Sequence, residues 1–169
     1  MIIIALGANL PSGHGSPLET LQAAVRVIDG ASINVTKASR VWLTAPVPFD
    51  PDQDWYHNAV IAVETDLTPQ ALLENLITIE ERFGRVRSVK NAPRVLDLDI
   101  IAYNDEVIEE GERLILPHQR MHERLFVLKP IEDIAPEWSH PKLNLTIDEM
   151  LDKYVDTDQK AQVLEDTLL

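Results

Sequence analysis

The sequence contains no cysteine, which rules out disulfides and thiolate metal sites and is consistent with a cytoplasmic protein. Basic residues are also scarce: 15 Lys and Arg stand against 28 Asp and Glu, and the formal net charge is −13. Because nucleic acids and anionic membranes bind dominantly basic surfaces, this balance predicts that neither is a partner. The apolar residues 1–7 have no basic leader and are too few for a signal or membrane segment, so they predict a buried strand.

Several common enzyme signatures are missing as well. The sequence has no internal repeat, no low-complexity tract and no Walker, GxSxG or HExxH motif, which removes the enzyme classes that depend on those motifs. With 169 residues, 45% of them hydrophobic, the chain is long enough to bury a sizeable core. We therefore expect a single domain over residues 1–155, a C-terminal tail over residues 156–169, and a monomer.

Local signals predict the order of the strands and helices. Ser16 and Glu19, with Pro17 between them, form a capping box that predicts a helix ending near Gly30, and Thr68 precedes a second helix that ends before Gly84. Apolar patterning predicts the other elements: strands at 32–43, at 58–65 and around Asp97, and helices at 121–128, with Pro130 near its end, and at 147–154. This order predicts a ferredoxin-like α+β sandwich, an antiparallel sheet with helices packed on it and C-terminal additions.

Residues 93–100, PRVLDLDI, set two carboxylates two positions apart inside an apolar run. On a strand, Asp97 and Asp99 share one face, while Leu96, Leu98 and Ile100 face the core. Two adjacent carboxylates repel each other unless a cation lies between them, and hard oxygen ligands on a stiff strand suit Mg²⁺. We call Asp97 and Asp99 the acid pair. The alternative for an isolated pair of this kind is a polar strand face open to water.

The segment just before the acid pair concentrates positive charge. Residues 84–94, GRVRSVKNAPR, hold four basic residues and no acid, against the trend of the whole chain. Arginine forks phosphate oxygens while acids hold a bridging metal, so the combination favours polyphosphate binding over a merely solvated loop. Because its like charges repel and little apolar anchorage is present, we expect this loop to close only when a nucleotide supplies the counter-charge.

Two further stretches carry candidate ligand-binding groups. Glu80 falls inside the apolar stripe of the second helix, where it could pair with a structural arginine or receive hydroxyl or amine groups of a ligand. The long connection of residues 44–57 contains three prolines and leads to Tyr56 and Asn58, which alternation places on one face. An aromatic plane beside an amide could hold a flat heterocycle, or it could close the core at a strand end. His57 faces the other way and receives no role.

A third cluster lies at residues 117–126. His118 and Arg124 are candidate phosphate donors, Arg120 and His122 are read as surface residues, and Phe126 offers a second aromatic plane beside that of Tyr56. We call Tyr56 and Phe126 the aromatic pair.

Together these motifs resemble one family, the 6-hydroxymethyl-7,8-dihydropterin pyrophosphokinases of folate biosynthesis. The resemblance covers about four fifths of the chain in the right order, and PRxLDLDI is far more specific than a generic DxD. The matching motifs are LGANL (6–10), TAP (44–46), YHN (56–58), IE (79–80), GRVR (84–87), residues 93–99, PH (117–118), RLFVL (124–128) and IAP (134–136).

The resemblance implies that the enzyme transfers the β,γ-diphosphoryl group of ATP to the pterin hydroxymethyl group and releases AMP. The acid pair matches the ligands of two Mg²⁺ ions. Arg85, Arg94, His118 and Arg124 match positions on the ATP side, and Glu80 lies near the nucleotide. Arg85, Arg94 and the acid pair are the expected catalytic residues, in a mainly positional mechanism that needs no side-chain nucleophile.

On the pterin side, the aromatic pair matches residues that sandwich the ring, and Asn58 and Thr44 match residues that read its edge. The chain departs from the family pattern at a few positions: Ala8 replaces a serine, Asn91-Ala92 stand for an aromatic residue and a glycine, and Gln119 replaces a tyrosine. Two other functions would use the same parts. A Mg²⁺-dependent phosphohydrolase would consume nucleotide without pterin, and a ligand-binding regulatory module would bind without turnover.

Overall fold

The computed structural model describes residues 1–84 and 94–169, apart from the side chains of residues 165–167. Arg85 and the rest of the basic segment up to residue 93, for which we predict nucleotide-dependent closure, lie outside the described residues. The elements are β1 (Ile2–Ala8), α1 (Pro17–Ile28), β2 (Ile33–Ala38), β3 (Arg40–Thr44), β4 (Tyr56–Thr65), α2 (Pro69–Arg82), β5 (Asp97–Tyr103), β6 (Ile108–Glu110), β7 (Leu114–Leu116), a 3₁₀ turn (Met121–Glu123), α3 (Leu125–Ile134), α4 (Ile147–Tyr154) and β8 (Ala161–Thr167).

Side-chain caps begin the helices where the sequence predicts. Ser16 and Glu19 exchange side-chain and backbone hydrogen bonds of 3.2 Å at the start of α1. The Thr68 hydroxyl accepts the Ala71 N–H at 3.1 Å at the start of α2. Gly84, two residues after the end of α2 at Arg82, has a φ of 88°. Such a cap contributes about 1 kcal/mol, and it acts on the first turn of the helix whatever the tertiary contacts are.

The main sheet is antiparallel and has the strand order β5-β1-β4-β3-β8, with β2 also pairing with β4. On one face, α1 and α2 pack against the sheet through Leu6, Leu21, Leu76 and other buried residues. On the opposite face, α3 and α4 bury residues that include Ile3 and Leu128. This arrangement confirms the predicted ferredoxin-like α+β sandwich, with the C-terminal helices as the additions.

The predicted strand over residues 32–43 is divided at Ser39. Ser39 is buried, and its hydroxyl accepts the Val60 N–H at 2.9 Å and donates to the Arg40 carbonyl at 2.8 Å. At this position the Val60 N–H bonds to the Ser39 hydroxyl, and the backbone pairing with β4 is interrupted between β2 and β3.

The helix predicted at residues 121–128 is wrong in its bounds. A 3₁₀ turn precedes Arg124, and α3 runs from Leu125 to Ile134 with Pro130 inside it. Pro130 has no N–H to donate to the Phe126 carbonyl, a cost that normally ends a helix. The burial of Pro130 together with Leu128 and Ile131 offsets this cost, so packing overrides the proline signal.

Two parts of the fold have no counterpart in the sequence-based prediction. Residues 108–116 form the hairpin β6-β7, and residues 161–167 form β8, which pairs antiparallel with β3.

Among the helices of residues 1–84 and 94–169, none has the length and apolar character needed to cross a bilayer.

Candidate active site

The register of three strands places the predicted site residues in one row. Gly7 of β1 lies opposite Asn58 of β4 on one side and opposite Asp97 of β5 on the other. With strands about 4.8 Å apart, the backbones of Asn58 and Asp97 are about 10 Å from each other. Asp99 follows on the same face of β5, opposite Ala5. The sheet therefore places the acid pair and the Asn58 amide on either side of a single strand.

Gly7 has a physical reason to be glycine. A Cβ at this position would lie 2.7 Å from the Asn58 Oδ1 atom, closer than real Cβ contacts allow. Any other residue would therefore displace the Asn58 side chain. In the sequence, Gly7 stands out only as part of the LGANL motif, and a glycine within an apolar strand is the signal that marks it.

The acid pair has the predicted strand geometry. Asp97 and Asp99 are half-buried, while Leu98 and Ile100 are buried in the core. The Arg94 Nη1 atom lies 3.0 Å from the Asp97 Oδ2 atom, so this guanidinium supplies a counter-charge to one carboxylate. Among the described residues no group of three or more His, Cys, Asp or Glu side chains is placed to hold a metal. Two partly exposed carboxylates on one face fit Mg²⁺, which usually keeps several water or substrate oxygens.

Glu80 contacts the backbone between the two acids. Its side chain is buried, with 1% exposure, and its Oε2 atom accepts the Leu98 N–H at 2.9 Å. The structure therefore adds a third possibility to the two that the sequence left open. Glu80 holds the strand that carries the acid pair, and its predicted place near the nucleotide stays a prediction.

His118 and Arg124 lie beside the acid pair. The backbone N–H of His118 donates to the Ile101 carbonyl at 2.8 Å and so links residue 118 to β5. The Nδ1 atom of the His118 ring accepts the backbone N–H of Arg120 at 3.2 Å. Burial, reinforced by the charge of Arg124, lowers the pKa of His118 to about 4. At neutral pH the imidazole is therefore uncharged, and it offers a single N–H donor at Nε2.

Arg124 supplies the positive charge in this part of the site. Burial and the neighbouring Arg120 lower its pKa, while Asp99 and Asp97 act in the opposite direction. The guanidinium is 5.4 Å from the centre of the Phe126 ring, within cation–π range. Asp99 and His118 also line an open cavity of about 210 Å³, together with Arg120 and Gln119. This side of the site combines carboxylates with guanidinium and imidazole donors, as polyphosphate binding requires.

The predicted pterin-side residues lie on one face of the sheet. Thr44 and Asn58 are both buried, and the Asn58 amide donates to the Thr44 hydroxyl at 2.6 Å. Tyr56 lies opposite Thr44 in the β3-β4 register. Phe126 is in the first turn of α3, which packs against β4 and so places Phe126 on the same face of the sheet as these residues. The Thr44 hydroxyl keeps its own proton for a ligand, since it accepts the bond from Asn58.

One residue at the centre of the site was missed as a functional candidate. Asn9 is buried, and its Oδ1 atom accepts the Arg94 N–H at 2.9 Å. Its amide donates to the Gln53 Oε1 atom and to the Asp54 carbonyl, both at 3.1 Å. Asn9 thus joins the end of β1 to the loop before β4 and to the segment that carries Arg94. A polar residue directly after a buried strand was the available signal.

The chain matches a family model described as 7,8-dihydro-6-hydroxymethylpterin-pyrophosphokinase over residues 3–136. It is 42% identical over 135 residues to the 2-amino-4-hydroxy-6-hydroxymethyldihydropteridine pyrophosphokinase of Bacillus subtilis, covering 79% of this chain and 77% of that protein. The Haemophilus influenzae protein of the same name is 39% identical, with 90% and 92% covered. The folic acid synthesis protein fol1 of Pneumocystis carinii is 39% identical over 94% of this chain, which spans 21% of that protein.

A solved structure shows the same fold. The wild-type HPPK-DHPS crystal structure from Plasmodium falciparum superposes with a TM-score of 0.69 at 16% identity, covering 90% of this chain and 40% of that chain. At this identity the likeness supports the fold alone, whereas the family model and the bacterial relatives show the family. The chain belongs to the 7,8-dihydro-6-hydroxymethylpterin-pyrophosphokinase family, the pyrophosphokinases of folate synthesis.

Proposed function

We propose that this pyrophosphokinase takes its diphosphate from ATP with the help of Mg²⁺, transfers it to 6-hydroxymethyl-7,8-dihydropterin and releases AMP. The observation that carries the proposal is the row formed by Asn58, Gly7 and Asp97, which sets a heterocycle-reading amide beside a carboxylate pair. The hydroxymethyl oxygen attacks the β-phosphorus, the bond from that phosphorus to the α,β-bridging oxygen breaks, and the hydroxyl proton is released. AMP leaves with the bridging oxygen, so no covalent enzyme intermediate is needed.

The acid pair would hold two Mg²⁺ ions, which neutralise charge on the triphosphate when bound. The protein's own donors complete this task. Arg124 faces the acid pair, and neutral His118 offers one N–H. Arg94 pairs with Asp97 in the described structure, and it would move to a phosphate oxygen once a metal takes over the carboxylate. Arg85 would add a further guanidinium.

The pterin would lie on the side of the site formed by β3, β4 and α3. The aromatic pair would stack on the two faces of the ring. The Thr44 hydroxyl and the Asn58 amide are held together by their 2.6 Å hydrogen bond, so their remaining donor and acceptor positions are oriented before the ligand binds. This preorganisation reduces the entropy that binding must overcome.

The direct test is incubation with Mg²⁺, ATP and the hydroxymethyl dihydropterin, with products identified by mass. We expect AMP and the pterin diphosphate in equal amounts. Release of phosphate from ATP without pterin would instead indicate a Mg²⁺-dependent phosphohydrolase. Binding of both ligands without turnover would indicate a regulatory module.

We also propose that the chain acts in the cytoplasm and as a monomer. The lack of cysteine is consistent with a reducing compartment. Sedimentation velocity at micromolar concentration gives the mass directly, and a species of 38 kDa, twice the 19.0 kDa chain, would contradict the monomer.

A further inference from the structure

The segment after α4 returns to the start of α3 before it enters β8. There the side-chain amide of Gln159 makes two hydrogen bonds to the backbone. Its Oε1 atom accepts the Leu125 N–H at 3.0 Å, and its Nε2 atom donates to the Glu123 carbonyl at 2.8 Å. Gln159 lies beyond residue 136, where the match to the family model ends.

The two bonded groups belong to the residues on either side of Arg124. In a parallel β-bridge the partner residue contacts its neighbour in the same way, through the carbonyl before it and the N–H after it. The amide of Gln159 therefore holds Arg124 in its extended conformation, with φ −112° and ψ 108°, between the 3₁₀ turn and α3. It also satisfies a donor of the first turn of α3, for which the described residues show no cap from the Arg124 side chain.

Gln159 is itself tied to the pterin side of the site. Its own N–H donates to the Asp156 carbonyl at 3.1 Å, which closes a tight turn. The next residue, Lys160, accepts the Ala45 N–H at 3.2 Å, and Ala161 pairs with Thr44 in the β3-β8 register. The segment thus contacts both the residue after Thr44 and the residues that flank Arg124.

We propose that Gln159 is a positioning residue for the reaction. It sets the start of α3, and with it the guanidinium of Arg124 and the ring of Phe126, relative to Thr44 at the end of β3. Because Arg124 is on the nucleotide side and Phe126 is on the pterin side, one amide aligns groups for both ligands. This inference rests on the proposed function for the roles of those two side chains.

An amide is needed because the two bonds have opposite polarity. A carboxylate accepts from Leu125 but has no proton for the Glu123 carbonyl, and a thioether of similar length makes neither strong bond. We therefore compare Gln159→Met and Gln159→Glu with two controls. Gln162→Met changes an exposed glutamine three residues on in β8, and Ser16→Ala removes the cap of α1 on the opposite face of the sheet. The second control lowers stability without touching the site.

Calorimetry measures the dissociation constants of a non-hydrolysable ATP analogue with Mg²⁺ and of the hydroxymethyl dihydropterin, at a temperature where circular dichroism shows every variant folded. We expect both Gln159 variants to raise the dissociation constants of both ligands and to lower kcat/KM by about tenfold or more. Small displacements of positioned groups are costly to binding and to catalysis. Both controls should stay within about twofold of the wild type.

The inference would be overturned if the Gln159 variants had wild-type dissociation constants, or if Ser16→Ala lost as much affinity and activity as they do. Either result would leave the proposed function standing. If the wild type fails to convert ATP and pterin, the proposed function fails. The binding constant of the pterin across the same variants then still decides the inference, because weaker binding in the Gln159 variants alone supports it and unchanged binding refutes it.

Discussion

Replacing Gly7 by alanine tests the central geometry of the site. The new methyl group would lie 2.7 Å from the Asn58 Oδ1 atom, and ordinary contact begins at 3.4 Å, so the Asn58 side chain must withdraw by about 0.7 Å. Its 2.6 Å bond to the Thr44 hydroxyl then lengthens or breaks in a buried setting. A buried polar group that loses its partner costs about 1 to 3 kcal/mol.

Alanine in a strand also raises the free energy of unfolding by about 0.5 to 1 kcal/mol relative to glycine, because alanine loses less conformational freedom on folding. The two effects oppose each other, and we expect Gly7→Ala to lower the free energy of unfolding by about 0 to 2.5 kcal/mol. The effect on ligands should be selective. Pterin affinity should fall markedly, because Asn58 and Thr44 read the ring edge, while the affinity for the ATP analogue should change little.

Urea unfolding followed by tryptophan fluorescence gives the free energy of unfolding, and calorimetry gives the affinity for each ligand. Gly13→Ala is the matched control, since a Cβ at residue 13 has no neighbour within 4 Å in the described structure and the backbone there is unstrained. If Gly7→Ala binds the pterin as the wild type does, the contact between Gly7 and Asn58 does not orient the amide and the reasoning is refuted.

Three further predictions concern the metal, the stacking residues and pH. Asp99→Asn deletes a metal-binding charge but keeps side-chain volume, so turnover should fall about a hundredfold with the circular dichroism spectrum unchanged; near wild-type rates at saturating Mg²⁺ would exclude the acid pair as ligands. Tyr56→Ala should weaken pterin binding by about 1 to 3 kcal/mol in calorimetry and leave ATP binding nearly unchanged, because the ring stacks without charge. Burial lowers the pKa of His140 to about 4 in the folded protein, so on acidification the unfolded chain binds this proton at a higher pH than the folded chain does. The contribution of neutral His140 to the free energy of unfolding should therefore be fully present above about pH 6.5 and decline toward pH 4. His140→Asn keeps an acceptor for the Lys142 N–H, so urea titrations should show a shallower decline; an unchanged slope would contradict this assignment.

Features that depend on neighbours in the sequence could be predicted from it. The capping pairs at Ser16 and Thr68 act over three residues, so the starts of α1 and α2 were found correctly. Alternation along a single strand likewise placed the acid pair on one face and Leu98 on the other. The burial of Glu80 followed from helical periodicity in the same way.

The contacts between distant segments were decided only by the tertiary structure. Glu80 accepts from Leu98, Asn9 joins two loops that flank the site, and Gln159 holds the backbone around Arg124. Each contact joins residues far apart in the chain, and no local pattern encodes its partner. The row at Gly7 likewise depends on the tertiary structure, because strand register decides that Asn58 and Asp97 lie beside it once β1 pairs with β4 and β5.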